Sequence, residues 1–158
     1  MLSADRILTA AGRERLEAEL EELKTRRWRE VAEKVAAARE LASGGDEADA
    51  TALVEAQEEQ LLLQLRIAEL ERTLAQAETI DETRSDDGVI RPGSTVTFRD
   101  EDGVDAYTLV GAAEANPRAG RISVSSPVGA RLLGHRVGDE VEVPTPSGMR
   151  RLRIERVE

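Results

Sequence analysis

Three carboxylates fall within four residues at Asp46-Glu47-Ala48-Asp49, directly after the pair Gly44-Gly45. Oxygen donors this dense suit a hard divalent cation such as magnesium or manganese. Three acids on a turn, with no backbone scaffold around them, hold such an ion only weakly. The arrangement therefore fits an ion whose remaining ligands come from another molecule. It also fits a plainer role, because acids in the first turn of a helix offset its macrodipole and cap its free amides. Residue types alone leave both readings open.

Elsewhere the chemistry thins out. A basic cluster, Lys24, Arg26, Arg27 and Arg29, could meet a nucleic-acid backbone or a partner's acids, or lie as a solvated flank paired with glutamates. The single histidine, His135, follows a predicted helix end and reads as a capping or surface residue. There is no cysteine, which excludes disulfides, thiolate zinc sites and cysteine nucleophiles. G-x-S-x-G, P-loop and dinucleotide fingerprints are absent, and no enzyme activity is expected. Aromatic residues make up 2% of the chain, namely Trp28, Phe98 and Tyr107, too few for a base-stacking platform. With 22 Lys and Arg against 32 Asp and Glu, the net charge of -10 opposes independent DNA or RNA binding. No apolar run nears the ~20 residues of a membrane span. The start Met1-Leu2-Ser3-Ala4-Asp5-Arg6 lacks a secretory pattern. A monomeric, cytoplasmic protein is expected, with no membrane attachment.

The elements that must carry these groups change character near residue 80. Between Ala11 and Ala77 there is no proline, and all five prolines follow. Residues 1–79 are expected to form one domain, 80–91 a linker and 92–158 a second domain. In the first, Leu53, Ala56, Gln60, Leu63, Ile67, Leu70, Leu74 and Ala77 recur at alternating three- and four-residue steps, which marks a coiled-coil seam. Leu16, Leu20 and Leu23 begin a facing stripe that resumes at Trp28, Val31, Val35, Ala38 and Ala42 on a shifted phase. The slip between Leu23 and Trp28 reads as a stutter that locally unwinds the supercoil, with Trp28 packed there. Ser43-Gly44-Gly45-Asp46 separates the two runs, with Asp46 as the N-cap of the second. So short a connection forces the helices antiparallel, and the acidic segment around 43–51 becomes the tip of a hairpin.

The second domain reads as a small α+β unit. Strands are expected over 94–99, 106–110, 121–125, 140–143 and 150–157. Ser126 as N-cap, Pro127 at the first helical position and Gly134 past the end predict one short helix among them.

The stretch Ile122-Ser123-Val124-Ser125-Ser126-Pro127-Val128-Gly129-Ala130-Arg131-Leu132-Leu133-Gly134, continuing into Val137-Gly138-Asp139-Glu140-Val141 and Thr145-Pro146-Ser147-Gly148, resembles the C-terminal signature of the bacterial Gre transcript-cleavage factors and their Gfh homologues. Leu8-Thr9-Ala10-Ala11-Gly12, Gln57-Glu58-Glu59-Gln60 and Arg66-Ile67 are similar to other parts of that family, so the resemblance spans essentially the whole chain. It implies an N-terminal antiparallel coiled coil and a C-terminal domain of FKBP-like topology, an α+β architecture. It also implies a partner, bacterial RNA polymerase. In that family the C-terminal domain docks at the rim of the polymerase's secondary channel, and the coiled coil carries its tip to the catalytic metal. On this resemblance Asp46, Glu47 and Asp49 would meet the polymerase's Mg2+ or Mn2+ in trans, with no intrinsic cofactor. Pro127, Val128, Leu132 and Leu133 are the expected docking surface, with some of them in the core. Arg26, Arg27 and Arg29 are expected contacts to polymerase or nucleic acid.

The tip departs from the cleavage factors, which carry an acidic-Leu-Ser-Glu-Asn type motif followed by an aromatic. Here the segment reads Ala42-Ser43-Gly44-Gly45-Asp46-Glu47-Ala48-Asp49-Ala50-Thr51. That is more like the Gfh branch, and the expected effect is inhibition of transcription or promotion of pausing. Stimulated transcript cleavage is the alternative. A peptidyl-prolyl isomerase or chaperone role, suggested by the FKBP-like topology, lacks the aromatic-walled pocket it would need.

Overall fold

The computed structural model describes residues 6–80 and 87–158. Contacts gather the chain into two units, residues 14–75 as one and the stretches on either side of it as the other. The division therefore falls elsewhere than the change in composition. The reason is a strand pair that joins distant parts of the sequence: β1 (Ile7–Thr9) lies parallel to β2 (Glu78–Ile80), with Ile7 opposite Glu78. Ile7, 2% exposed, belongs to the globular core. Of the expected linker, residues 81–86 lie outside the described residues. Its far end is not linker at all. Ile90 is 1% exposed in the same core, its N–H donates to the His135 carbonyl at 2.8 Å and its carbonyl accepts from the Gly134 N–H at 2.9 Å.

The hairpin unit holds most of α1 (Ala10–Glu22), a π-helical turn at Leu23–Arg27, α2 (Trp28–Ala42) and most of α3 (Glu47–Gln76). At ~1.5 Å per residue α3 is about 45 Å long. The heptad seam is the buried face. Ala56 and Leu63 of α3 pack with Val31, Val35 and Ala38 of α2, flanked by Leu23, Leu53 and Ile67, and Gln60 is half-buried among them.

The irregularity sits where the stripe slips, and it leaves Trp28 at the edge of the seam, beside Lys24 and Ile67. The Trp28 N–H donates to the Leu23 carbonyl, five residues back instead of four, so the turn absorbs one extra residue. That rotation brings Arg27 toward the seam, where Nη2 donates to Glu59 Oε1 at 2.5 Å. Trp28 is left 39% exposed.

The globular unit is built on a five-stranded sheet in the order β5-β4-β3-β7-β6. Its strands are β3 (Thr95–Asp100), β4 (Gly103–Val110), β5 (Arg121–Ser123), β6 (Glu140–Thr145) and β7 (Gly148–Val157). The pairing of β4 with β5 is parallel and the others are antiparallel. Alternation decides the faces: Val96 and Phe98, then Val141 and Val143, then Leu152 and Ile154 all point into one core. The β3–β4 turn is closed by Asp100, whose Oδ1 accepts from the N–H groups of Asp102 and Gly103. The short helix α4 (Pro127–Leu132) forms as its sequence predicts, with Ser126 Oγ accepting from the Gly129 N–H at 3.0 Å. Gly129 permits close packing here, since a Cβ would stand 2.1 Å from the Ser123 carbonyl oxygen. Among the described residues no helix is long and apolar enough to cross a membrane.

Candidate functional site

The acidic turn is made by helix termination on both sides. At the end of α2 the Ser43 hydroxyl donates to the Glu40 carbonyl at 2.6 Å, and the N–H groups of Gly44 and Gly45 donate to Leu41 and Ala42. Gly45 then adopts φ +83°, a left-handed conformation that reverses the chain at little cost for glycine. Asp46 caps α3: its Oδ1 accepts from the Ala48 N–H at 2.8 Å, and its carbonyl accepts from the Ala50 N–H. Glu47 and Asp49 occupy the first turn, where the helix dipole favours them. Both predicted roles thus meet in the same residues, since the capping acid is also part of the acid cluster.

The acids are open to a visitor but do not form a chelate themselves. Asp46 and Glu47 are exposed and Asp49 is half-buried. Among the described residues no three His, Asp or Glu side chains are placed to hold a metal ion. Their chemistry suits contribution of one or two oxygens to an ion held mainly by another molecule.

The basic cluster is largely spent within the hairpin. Arg26 bridges Glu22 and Glu30, Arg27 bridges Glu30 and Glu59, and Lys24 pairs with Glu71 across the arms at 2.7 Å. The Arg27 hydrogen bond, with Arg26 beside it, holds the Glu30 carboxyl below the usual carboxylate range. Lys34 does the same for Glu59, with Arg27 adding to it. Of the three expected contact arginines, Arg29 is the exposed one without a partner among the described residues.

The expected docking residues divide. Leu132 is 0% exposed and is core, so it is withdrawn from the surface; a helix of six residues has an inward side, and Leu132 is on it. Val128 and Leu133 are half-buried against the same core, and Pro127 is exposed. Beside α4 a groove of about 340 Å³ opens between Tyr107, Ile122, Val128 and Pro144. Tyr107 is the one aromatic ring lining it; Phe98 is 2% exposed, its ring centroid 4.8 Å from that of Tyr107. His135 faces Asp139 at 3.3 Å. The Arg136 N–H bound to that carboxylate is the main cause of its lowered pKa.

One further site escaped sequence reading. The side chain of Glu114 is 1% exposed. Its Oε2 accepts from the Thr9 N–H at 2.7 Å, and its Oε1 from the Thr9 hydroxyl at 2.6 Å and Arg121 Nη2 at 2.8 Å. Thr9 Oγ1 in turn accepts from the Gly12 N–H at 3.0 Å and so caps α1. Nothing local marks Glu114 among 32 acids. It lies in a single 3-10 turn at Ala112–Glu114, and its partners are remote in sequence.

The family model described as "Transcription elongation factor, GreA/GreB, C-term" matches residues 85–158, and that described as "Transcription elongation factor, N-terminal" matches residues 6–79. Transcription elongation factor GreA of Chloroflexus aggregans is 49% identical over 152 residues, 95% of either chain. Transcription elongation factor GreA of a Roseiflexus species is 46% identical over 149 residues, 93% of either chain. Among solved structures, GreA factor homolog 1 (Gfh1) of Thermus thermophilus is 34% identical over 96% of this chain and 97% of that one, with a TM-score of 0.42.

Proposed function

The chain belongs to the GreA/GreB family of transcription elongation factors, and from that premise we propose that it inhibits or pauses bacterial RNA polymerase in the cytoplasm by carrying its acidic tip through the secondary channel to the active-site metal. The hairpin acts and the C-terminal domain docks, with Pro127, Val128 and Leu133 around α4 as the contact surface and Arg29 as an added one. The protein itself performs no bond-breaking step; its acids act on an ion that the polymerase holds.

The observation that carries the inhibitory reading is the double use of Asp46. One of its oxygens is bound to the Ala48 N–H, so the carboxylate is tied to its own helix. With Oδ1 committed to its own helix, Asp46 offers a visiting ion the one free oxygen, Oδ2, and cannot clamp a second ion through both. It can still occupy the space and bias the ion already there, and that slows nucleotide addition. A second reading, stimulated transcript cleavage, is favoured by a different observation, the 49% identity to a protein named GreA across nearly the full length. Geometry at the shared metal separates the two.

The test uses polymerase halted in a backtracked complex with labelled RNA, with magnesium or manganese present. The protein is added, then its Asp46→Ala/Glu47→Ala/Asp49→Ala variant. Slower extension or longer pausing, lost in the variant, is expected. Faster RNA shortening, also lost in the variant, establishes the cleavage reading instead. An effect that persists in a folded variant overturns any role for the tip.

A further inference from the structure

The outward side of α3 is not built like the outside of a two-helix coil. Away from the seam stand Val54, Leu61, Leu62 and Leu65, 53%, 55%, 66% and 58% exposed, on a face that is polar in an isolated hairpin. Together they present roughly 300–400 Å² of apolar surface, the size of the largest patch on a typical monomer, which is often functional. Within it Glu58, Leu61, Leu65, Ala68 and Arg72 recur at steps of three, four, three and four, and all five are exposed. This is a second heptad row on the same helix, without a partner helix in the hairpin.

The row is complementary to its own reverse. Set antiparallel to a copy of itself with Leu65 against Leu65, it places Leu61 against Ala68 and Glu58 against Arg72 on both sides of the centre. Large side chains meet small ones, and opposite charges meet at each end. Glu58 and Arg72 make no ion pair among the described residues, so both are available. We propose that this face joins two copies of the chain, α3 against α3, antiparallel about a two-fold axis at Leu65. Such an interface is isologous and closes at the dimer.

The area sets the strength. Two patches bury about 700 Å², below the ~1,200 Å² of a stable complex. The dimer is accordingly concentration-dependent, with a Kd of tens to hundreds of micromolar. The net charge of -10 repels the copies at low salt, and near-physiological salt, with its Debye length of about 8 Å, screens that repulsion. This surface is distinct from the acidic turn and does not depend on how the turn acts on polymerase.

Sedimentation velocity on the full chain, from ~10 to ~500 µM at physiological salt, reads the association directly. Leu65→Glu, which sets like charges at the axis, is expected to leave only monomer. Glu58→Arg is expected to weaken the dimer roughly tenfold, and Glu58→Arg/Arg72→Glu to restore it. The chain has no cysteine, so Leu65→Cys should cross-link to itself under mild oxidation while Val54→Cys should not. Circular dichroism checks that each variant keeps its helix. A monomer throughout the range, or a dimer indifferent to Leu65→Glu and to the charge swap, overturns the proposal. So does a Leu65→Glu effect seen only in binding to polymerase, which would assign the face to that partner.

Discussion

At the hairpin turn Asp46 and Glu47 stand exposed, with one hydrogen bond from the chain to the Asp46 carboxylate. In the globular unit the Glu114 carboxylate is 1% exposed and takes hydrogen bonds from the Thr9 N–H, the Thr9 hydroxyl and Arg121. The same functional group is used in opposite ways. A buried carboxylate is tolerable only when its lone pairs are filled and its charge is met, and once filled it has little left to offer a ligand. An exposed carboxylate contributes little to the fold and keeps its oxygens for a visitor. The two sites therefore predict opposite responses to the same mutation.

The largest effect is expected at the buried site. Glu114→Ala strands the Thr9 N–H and hydroxyl and the Arg121 guanidinium. Breaking a buried pair from one side costs about 3–5 kcal/mol. Because the Arg121 side chain is 21% exposed and water reaches it, about 2–4 kcal/mol is expected. Urea unfolding measures it. A loss below about 0.5 kcal/mol, the scale of an ordinary surface change, would break the contrast between the two sites.

Gly12→Ala attacks the same carboxylate without removing it. An added Cβ would stand 1.9 Å from Glu114 Oε1, so Glu114 must move and its hydrogen bonds with it. Overpacking of this kind costs about 1–3 kcal/mol, even though alanine is the better helix former. If the double variant with Glu114→Ala is less destabilised than the sum of the two, the coupling between the residues is direct.

These two residues also show where sequence reading stops. The seam of α3, the stutter, the glycine turn and the Ser126 cap were legible because each rests on neighbours in sequence: a heptad, a broken phase, a cap and its helix. All eight expected seam positions, seven of them in α3 and Ala77 just past its end, are buried or half-buried. The pairing of β1 with β2 was not legible. Three residues carry no alternation, and a parallel pair across some 70 residues leaves no turn to mark it. Ile90 reads as linker because proline and glycine surround it, yet its backbone is bonded to His135 and Gly134. Trp28 reads as part of the stripe because large apolar residues belong there; the π-turn leaves it at the stripe's edge, 39% exposed beside Lys24 and Ile67. At the tip, residue types showed the acids and the cap, and the structure added that Asp46 is both.

The tip should respond in the opposite sense to Glu114. Asp46→Ala removes a helix cap and is expected to cost about 0.5–1 kcal/mol, while abolishing much of the effect on transcription. Asp46→Asn keeps the cap, because an amide oxygen accepts the Ala48 N–H as well as a carboxylate does, and removes the charge. Stability close to wild type with the regulatory effect reduced would separate capping from ion contact within one side chain. Full activity in Asp46→Asn would mean that the charge of Asp46 is not what reaches the partner.

Glu59 lies between the extremes and gives the smallest effect. Its side chain is 27% exposed and is bonded to Lys34 and to Arg27 across the arms. Those cations, Lys34 first, depress its pKa in the folded chain. A carboxyl whose folded pKa lies below its unfolded value adds stability above the unfolded value, near ~4.3 for glutamate, and loses it as pH falls through the folded one. Hairpin stability should therefore decline as pH falls below the unfolded value, and Glu30, depressed by Arg27 and Arg26, acts in the same direction. A carbon-13 titration of the side-chain carboxyls should find Glu59 below ordinary glutamate, and Lys34→Ala should raise it. Salt at ~1 M, with a Debye length of about 3 Å, should raise it too. An ordinary, salt-independent midpoint for Glu59 would mean that filled lone pairs are not what separates structural carboxylates from available ones.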